Sequence, residues 1–181
     1  MKSQMALLLS LMSLGVWADS PGTGKPAPAL DRVGFPEGYS KGFEVLRVVN
    51  KAAEGKVVTV YGNQLAATVT NQSQLPYPYG SVLVMETAKA REDAAGKPLL
   101  DHQGSLQKAA VTGLHVMRRG AGFGAAYGQN RAGEWEYVEY KPDGSYLTPP
   151  QKSASCAECH LKAGAARDFV YKARFADSNA R

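Results

Sequence analysis

The residues with the most recognisable chemistry form one pentapeptide near the end of the chain, Cys156-Ala157-Glu158-Cys159-His160. It contains both cysteines of the 181-residue chain, three positions apart, with a histidine directly after the second. Two thiols at this spacing can each form a thioether with a porphyrin vinyl group, and the adjacent imidazole can then bind the iron. The pattern therefore predicts one covalent haem c per chain, attached through Cys156 and Cys159, with His160 as the metal ligand.

Other uses of two cysteines explain the motif less well. A zinc site needs about four protein ligands, and the remaining histidines, His102 and His115, have no ligand-like spacing. A redox Cys-x-x-Cys usually opens a helix after the strand of a βαβ unit, whereas this motif follows a proline-rich loop. A structural disulfide is compatible with an exported protein but gives the histidine no role, so it is the main alternative to haem.

The start of the chain predicts export. Lys2 precedes an apolar run from Met5 to Trp17, and Val16-Trp17-Ala18 suits a signal peptidase. The run is shorter than the about 20 residues that span a bilayer, so we expect a signal peptide over 1–18 and no stable membrane span. Residues 19–29 consist largely of proline, glycine and alanine, which predicts a flexible leader over 19–34. Because covalent haem attachment takes place outside the cytoplasm, these features together predict a periplasmic protein.

The composition is that of a soluble globular chain, with 44% hydrophobic and 20% charged residues. The formal net charge of +5 is mildly basic. Such a charge could favour an acidic periplasmic redox partner, although it more often reflects solubility alone. We expect no nucleic-acid partner.

Runs of β-branched and aromatic residues between turn residues predict a sheet. The predicted strands are 56–61, 81–87, 113–119, 135–140 and, after the haem motif, 168–175. Strands that follow one another along a chain usually pair antiparallel. The fold class is therefore α+β: a largely antiparallel sheet with flanking helices and the haem attached near the C-terminus.

The first half of the chain contains one predicted helix and one segment that could be a helix. Residues 37–53 predict an amphipathic helix, because Tyr39, Phe43, Leu46 and Asn50 recur near helical spacing and a glycine follows. Residues 64–70 fit either a short helix or a strand.

Two predicted strands carry side chains that could approach a haem. In the strand 81–87, alternation directs Ser81, Leu83, Met85 and Thr87 to one face. In the strand 113–119, His115 could be a distal ligand or a proton relay, although a strand histidine is more often a satisfied sheet residue. Arg118 and Arg119 could pair with haem propionates. They point to opposite faces of a strand, so at most one of them would do so.

Five features in order resemble the cytochrome P-460 family and its relative cytochrome c′-beta. They are Phe35-Pro36-Glu37-Gly38-Tyr39, Thr59-Val60-Tyr61, the run Tyr79-Gly80-Ser81-Val82-Leu83-Val84-Met85-Glu86, Gly133-Glu134-Trp135 leading to Tyr140-Lys141-Pro142-Asp143, and the late haem motif before an aromatic stretch. The resemblance implies a haem domain over 35–175 with a short tail over 176–181. It also implies a periplasmic monohaem protein, usually a homodimer, in which the sheet covers the distal side of the haem.

One departure from the family pattern bears on function. Cytochromes P-460 cross-link a lysine to the porphyrin, and the matching position here is Met85, whose thioether has no amine for that bond. Met85 could pack beside Leu83 against the porphyrin edge, or its sulfur could coordinate iron opposite His160.

Two functions follow from the resemblance. In the first, the haem binds a small nitrogen oxide or another diatomic gas, as in c′-beta members, or transfers electrons. In the second, the chain is an oxidoreductase acting on hydroxylamine or nitric oxide. Met85 in place of the lysine favours the first function over the enzyme.

Overall fold

The chain is organised by one antiparallel sheet, seen in a computed structural model that describes residues 24–171. The signal peptide expected over 1–18 and the tail expected over 176–181 lie outside the described residues. Six strands pair in the order in which they occur in the sequence. The strands are β1 (Glu44–Lys51), β2 (Lys56–Gly62), β3 (Val82–Ala90), β4 (Lys108–Arg119), β5 (Trp135–Tyr140) and β6 (Tyr146–Thr148).

The helices of the described residues are short. They are α1 (Tyr39–Gly42), α2 (Gln64–Ala67) and α3 (Ala154–Leu161), with single 3₁₀ segments at Ala52–Glu54, Gln72–Gln74, Ala125–Asn130, Pro150–Lys152 and Ala165–Arg167. Asn63 caps α2 by accepting a hydrogen bond from the Ala66 amide at 3.0 Å. The sheet and the few helices confirm the α+β class.

Most of the predicted strands are present. The runs at 56–61, 113–119 and 135–140 fall within β2, β4 and β5, and the run at 81–87 matches β3 except for Ser81, which precedes that strand. Their β-branched and aromatic side chains suit a pleated surface that is covered on both faces. Residues 64–70, which fitted either element, begin with the helix α2.

The predicted helix over 37–53 is wrong. Only α1 is α-helical there, β1 follows as an edge strand of the sheet, and a 3₁₀ segment begins at Ala52. A β-bulge between Val45 and Arg47 interrupts the pairing of β1 with β2. The bulge breaks the two-residue alternation of apolar side chains, so that their spacing in the sequence imitates the period of a helix.

The predicted final strand over 168–175 is also wrong where the structure describes it. Asp168 and Phe169 have φ angles of 47° and 59°. These left-handed values are incompatible with a strand. Residues 172–175 lie outside the described part of the chain.

Each face of the sheet packs against a different part of the chain. On one face, Trp135 and Tyr127 are fully buried in a cluster that also contains Ala157 of α3. On the other, Val84, Val116 and Tyr140 form a second cluster that Phe35 and Tyr39 cover. Burying each of these large side chains contributes about 1.5–3 kcal/mol to folding.

Part of the segment expected to be a flexible leader packs on the second face. Val33 is 1% exposed, and Asp31 accepts a hydrogen bond from the hydroxyl of Tyr140 at 2.6 Å. This segment therefore joins α1 in covering the side of the sheet that faces away from α3. Within residues 24–171, no helix has both the length and the apolar character needed to cross a membrane.

Candidate haem site

The attachment motif lies on α3, a helix of two turns. Proline at position 150 opens the preceding turn, Pro150–Lys152, and α3 then begins at Ala154. Residues three and four positions apart share one face of a helix. Cys156, Cys159 and His160 have this spacing, and all three line the same cavity.

Contacts with β5 and its preceding loop fix α3 in place. Ala157, which does not line the cavity, is fully buried in the core. The hydroxyl groups of Ser153 and Tyr127 are 2.8 Å apart in a buried hydrogen bond. The backbone amide of Tyr137 in turn donates to the Tyr127 hydroxyl at 3.3 Å. A continuous set of buried contacts therefore connects the start of α3 to the central part of β5.

The cavity lies between α3 and the sheet and has a volume of about 650 Å³. Its sheet wall includes Leu83, Met85 and Thr87 of β3, the face that alternation predicts. Val82 and Val84 belong instead to the core on the other side of the sheet. Small-molecule sites typically have volumes of about 300–1,000 Å³ and mostly apolar walls, so the cavity suits a large apolar ligand.

His160 is oriented as a metal ligand. Its Nδ1 lies 2.7 Å from the backbone carbonyl oxygen of Phe169. A carbonyl can only accept, so Nδ1 carries the proton and Nε2 keeps a free lone pair. Burial lowers the pKa of His160, although the Phe169 carbonyl opposes the shift, and the nearby imidazole of His115 lowers it further. The imidazole is therefore neutral, as metal binding requires.

The two thiols are free in the structure. Burial is the main cause that raises the pKa of Cys156 to about 11. Redox-active Cys-x-x-Cys motifs depend on the opposite shift, a lowered thiol pKa. Among the described residues, no group of three or more histidine, cysteine, aspartate or glutamate side chains could hold a metal ion by itself.

The sheet wall carries a hydrogen-bonded pair of side chains that the sequence did not reveal. His115 faces the cavity, and its Nδ1 is 2.6 Å from Oε1 of Glu139 on the neighbouring strand. The hydroxyl of Thr148 donates to Oε2 of the same carboxylate at 2.5 Å. The hydrogen bond from His115 is the main reason that the pKa of Glu139 lies below its ordinary value. His115 is thus a satisfied strand residue that also borders the cavity.

Tyr137 and Glu139 are cavity residues that sequence reasoning missed. The alternation of β5 puts both of them on the face of Trp135, which is the only sequence pattern that could have indicated them. The Tyr137 hydroxyl is buried and has no hydrogen-bond partner among the described residues. This unpaired polar atom, on the side chain that packs against His160, fits a cavity built to enclose a further group.

The long basic side chains that line the cavity differ from those that the sequence suggested. Lys51 and Lys56 line it and both pair with Glu54, at 3.0 and 3.4 Å. Neither Arg118 nor Arg119 lines the cavity. Arg119 instead lies 3.4 Å from a carboxylate oxygen of Asp168 and also contacts Glu134.

A comparison with protein families finds that the Cytochrome P460 model matches residues 36–172. This range contains the whole sheet, α3 and every residue that lines the cavity. A comparison with curated proteins finds no match.

Proposed function

Because the chain belongs to the cytochrome P460 family, we propose that it is a c-type cytochrome with one haem, whose iron binds a small nitrogen oxide or another diatomic gas. The observation that carries this proposal is the cavity between α3 and the sheet, with Cys156, Cys159 and His160 on one wall. When bound, the haem supplies an iron centre that can take a small ligand or exchange an electron. The protein's own residues hold the haem, orient it and shield it from water.

The residues of α3 hold and orient the group in this proposal. Cys156 and Cys159 form the two thioethers, and Nε2 of His160 binds the iron. The Phe169 carbonyl fixes the imidazole through Nδ1 at 2.7 Å. Such a hydrogen bond sets both the tautomer and the ring orientation of a ligating histidine.

The sheet wall excludes water from the opposite side. Leu83 is 3% exposed, and Met85 lies beside it on the same face of β3. In this proposal Met85 packs against the porphyrin edge as an adaptable apolar side chain. Because its thioether cannot form the lysine cross-link, we expect the spectrum of an ordinary haem c.

Electron transfer is a second candidate function. Two possible iron ligands, Met85 and His115, favour it. They are direct pairing partners on the adjacent strands β3 and β4, and both line the same wall of the cavity. Either side chain could hold the iron from the sheet wall, which would favour electron exchange over binding of an external ligand. Oxidation of hydroxylamine or nitric oxide remains the enzymic alternative, and the absence of a cross-linking lysine argues against it.

The proposal includes the location of the protein in the cell and its partners. A signal peptide over 1–18 would deliver the chain to the periplasm, with a leader over 19–34, whose later part packs on the sheet, and a haem domain over 35–175. A periplasmic redox partner and a homodimer follow from the resemblance alone.

The test is to express the full chain with a haem-attachment system and a Cys156→Ala/Cys159→Ala control. We expect a haem stain that survives denaturing electrophoresis in the parent and is lost in the control. Titration of the reduced protein with nitric oxide should then shift its absorption bands stoichiometrically. Colourless protein, or pigment extracted by acid acetone, would disprove covalent attachment. Sustained turnover of hydroxylamine with an electron acceptor would replace gas binding by the enzymic function.

A further inference from the structure

We propose that His115 is the second axial ligand of the haem iron, held in position by Glu139. This inference rests on the proposed function, since it requires a haem between α3 and the sheet. It goes further by assigning the opposite ligand, and it implies that an external gas must displace an imidazole before it can bind.

The position of His115 supports the assignment. Met85, His115 and Glu139 form one row across β3, β4 and β5, in which each residue is the direct pairing partner of the next. All three line the cavity. The His115 side chain is 46% exposed, so its ring projects into the cavity instead of packing among core residues. It lies on the wall that faces α3, which bears His160.

The hydrogen bond to Glu139 leaves the correct nitrogen free. Oε1 of Glu139 is 2.6 Å from Nδ1 of His115. An ionised carboxylate only accepts, so Nδ1 carries the proton that they share, which leaves Nε2 as the nitrogen that can bind iron. His160 has the same arrangement through the Phe169 carbonyl. Two imidazoles on opposite walls of one cavity therefore both offer Nε2 and both have Nδ1 fixed.

The support behind Glu139 indicates that this arrangement is held firmly. Thr148 of β6 donates to the second carboxylate oxygen at 2.5 Å. A ligating histidine almost always donates its other ring proton to a carboxylate, carbonyl or water. The row from Thr148 through Glu139 to His115 supplies that pattern with both carboxylate oxygens occupied.

Met85 is the weaker candidate for the same coordination position. Its side chain is flexible, and no residue within 24–171 fixes its sulfur by a hydrogen bond. His115 gives up less conformational freedom on binding iron, because Glu139 already fixes the orientation of its ring. We therefore assign the bond to iron to His115 and side-chain packing to Met85.

The test uses electron paramagnetic resonance of the ferric, haem-loaded full chain. We expect a low-spin signal in the parent protein and its loss to a high-spin signal in His115→Ala, with low spin restored by added imidazole. Met85→Ala should remain low-spin. His102→Ala removes an exposed histidine from a loop and should leave the signal unchanged. A haem stain on each variant confirms that the pigment is still attached.

Two results would overturn the assignment. One is a high-spin ferric parent, which would mean that no protein group occupies the sixth position. The other is a sulfur-to-iron charge-transfer band that disappears in Met85→Ala and persists in His115→Ala. Failure of the haem stain in the parent would instead disprove the proposed function itself, so the two failures are distinguishable.

Glu139→Gln tests the role of the carboxylate. Glutamine keeps an acceptor for Nδ1 but removes the negative charge that raises the basicity of the imidazole. We expect a low-spin protein with a raised reduction potential. An unchanged potential would show that Glu139 does not act on the ligand.

Discussion

The imidazole of His160 stacks on the phenol ring of Tyr137, with ring centroids 4.5 Å apart and planes 27° from parallel. The helix that bears the attachment motif is thus in direct contact with the central part of β5. The Phe169 carbonyl holds Nδ1 of the same imidazole. The sheet and the segment after α3 therefore fix this ring together.

Two replacements of Tyr137 should distinguish the contribution of its ring to stability from that of its hydroxyl. Tyr137→Phe keeps the stack and removes a buried hydroxyl that has no partner among the described residues. We expect urea unfolding to show no loss of stability, or a gain of up to about 1 kcal/mol. Tyr137→Leu removes the stack and should cost about 1–3 kcal/mol. A clear loss of stability in Tyr137→Phe would show that the hydroxyl is bonded in the haem-loaded protein.

Gly133 should be sensitive because of Phe169. A Cβ atom at Gly133 would lie 2.8 Å from Cδ2 of Phe169, the residue whose carbonyl holds His160. Gly38 has a similar φ, +65° against +63°, but a Cβ atom there meets nothing within 4 Å. Gly38→Ala should therefore cost about 1 kcal/mol for the left-handed backbone alone. Gly133→Ala should lose more stability and also shift the haem absorption bands; equal losses would contradict this prediction.

The buried carboxylate of Glu86, on the face of the sheet away from α3, should be energetically coupled to Lys108. Glu86 is 3% exposed and accepts hydrogen bonds from Lys108 at 2.6 Å and from the Tyr39 hydroxyl at 2.5 Å. Lys108→Met leaves the carboxylate with one strong donor. It should cost about 1–3 kcal/mol, a range reduced for the partial exposure of Lys108.

A double-mutant cycle measures this coupling. Glu86→Gln combined with Lys108→Met should cost at least about 0.5 kcal/mol less than the sum of the single changes in urea unfolding. Lys141→Met, at an exposed lysine, is the matched control and should change stability by less than about 0.5 kcal/mol. Additive single changes would show that the pair contributes nothing.

Asp31 should make the stability depend on acid pH. Burial acts to raise the pKa of Asp31, but hydrogen bonds from the Gly34 amide and the Tyr140 and Tyr146 hydroxyls outweigh it and hold the pKa below its ordinary value. A carboxyl with a lowered folded-state pKa contributes stability above its unfolded-state pKa and loses it as the pH falls through the folded-state value. Asp31→Asn should thus cost about 1 kcal/mol at neutral pH, allowing for partial exposure. That difference should shrink below pH 4, and a difference independent of pH would refute the prediction.

Much of this fold was predictable from local sequence. Val57, Val58 and Val60 in β2, and Val82 and Val84 in β3, gave clear strand patterns, and alternation placed Leu83 and Met85 on the same face. The family resemblance rested on the order of weak motifs and on one strong motif, and the family match confirms it. Helix geometry then brings Cys156, Cys159 and His160 to one face without any long-range information.

The parts that were wrong or missed depend on three-dimensional context. The bulge in β1 changed the apparent period of its side chains. The left-handed backbone of Asp168 and Phe169 prevents a strand from starting where one was expected. The pairing of His115 with Glu139 depends on the register of β4 against β5. A segment of 15 residues separates the end of β4 at Arg119 from the start of β5 at Trp135. No local sequence pattern specifies the register of two strands joined by a connection of that length.

The sequential order of the six strands has a consequence for biogenesis. Each strand neighbours its predecessor, so the sheet forms from contacts that are short in sequence and quick to establish. Synthesis proceeds from the N-terminus, and β1 to β6 all precede Cys156. The sheet wall of the cavity is therefore built entirely from sequence that precedes both thiols, so porphyrin attachment would join a later segment of the chain to a sheet whose strand pairing does not depend on that segment.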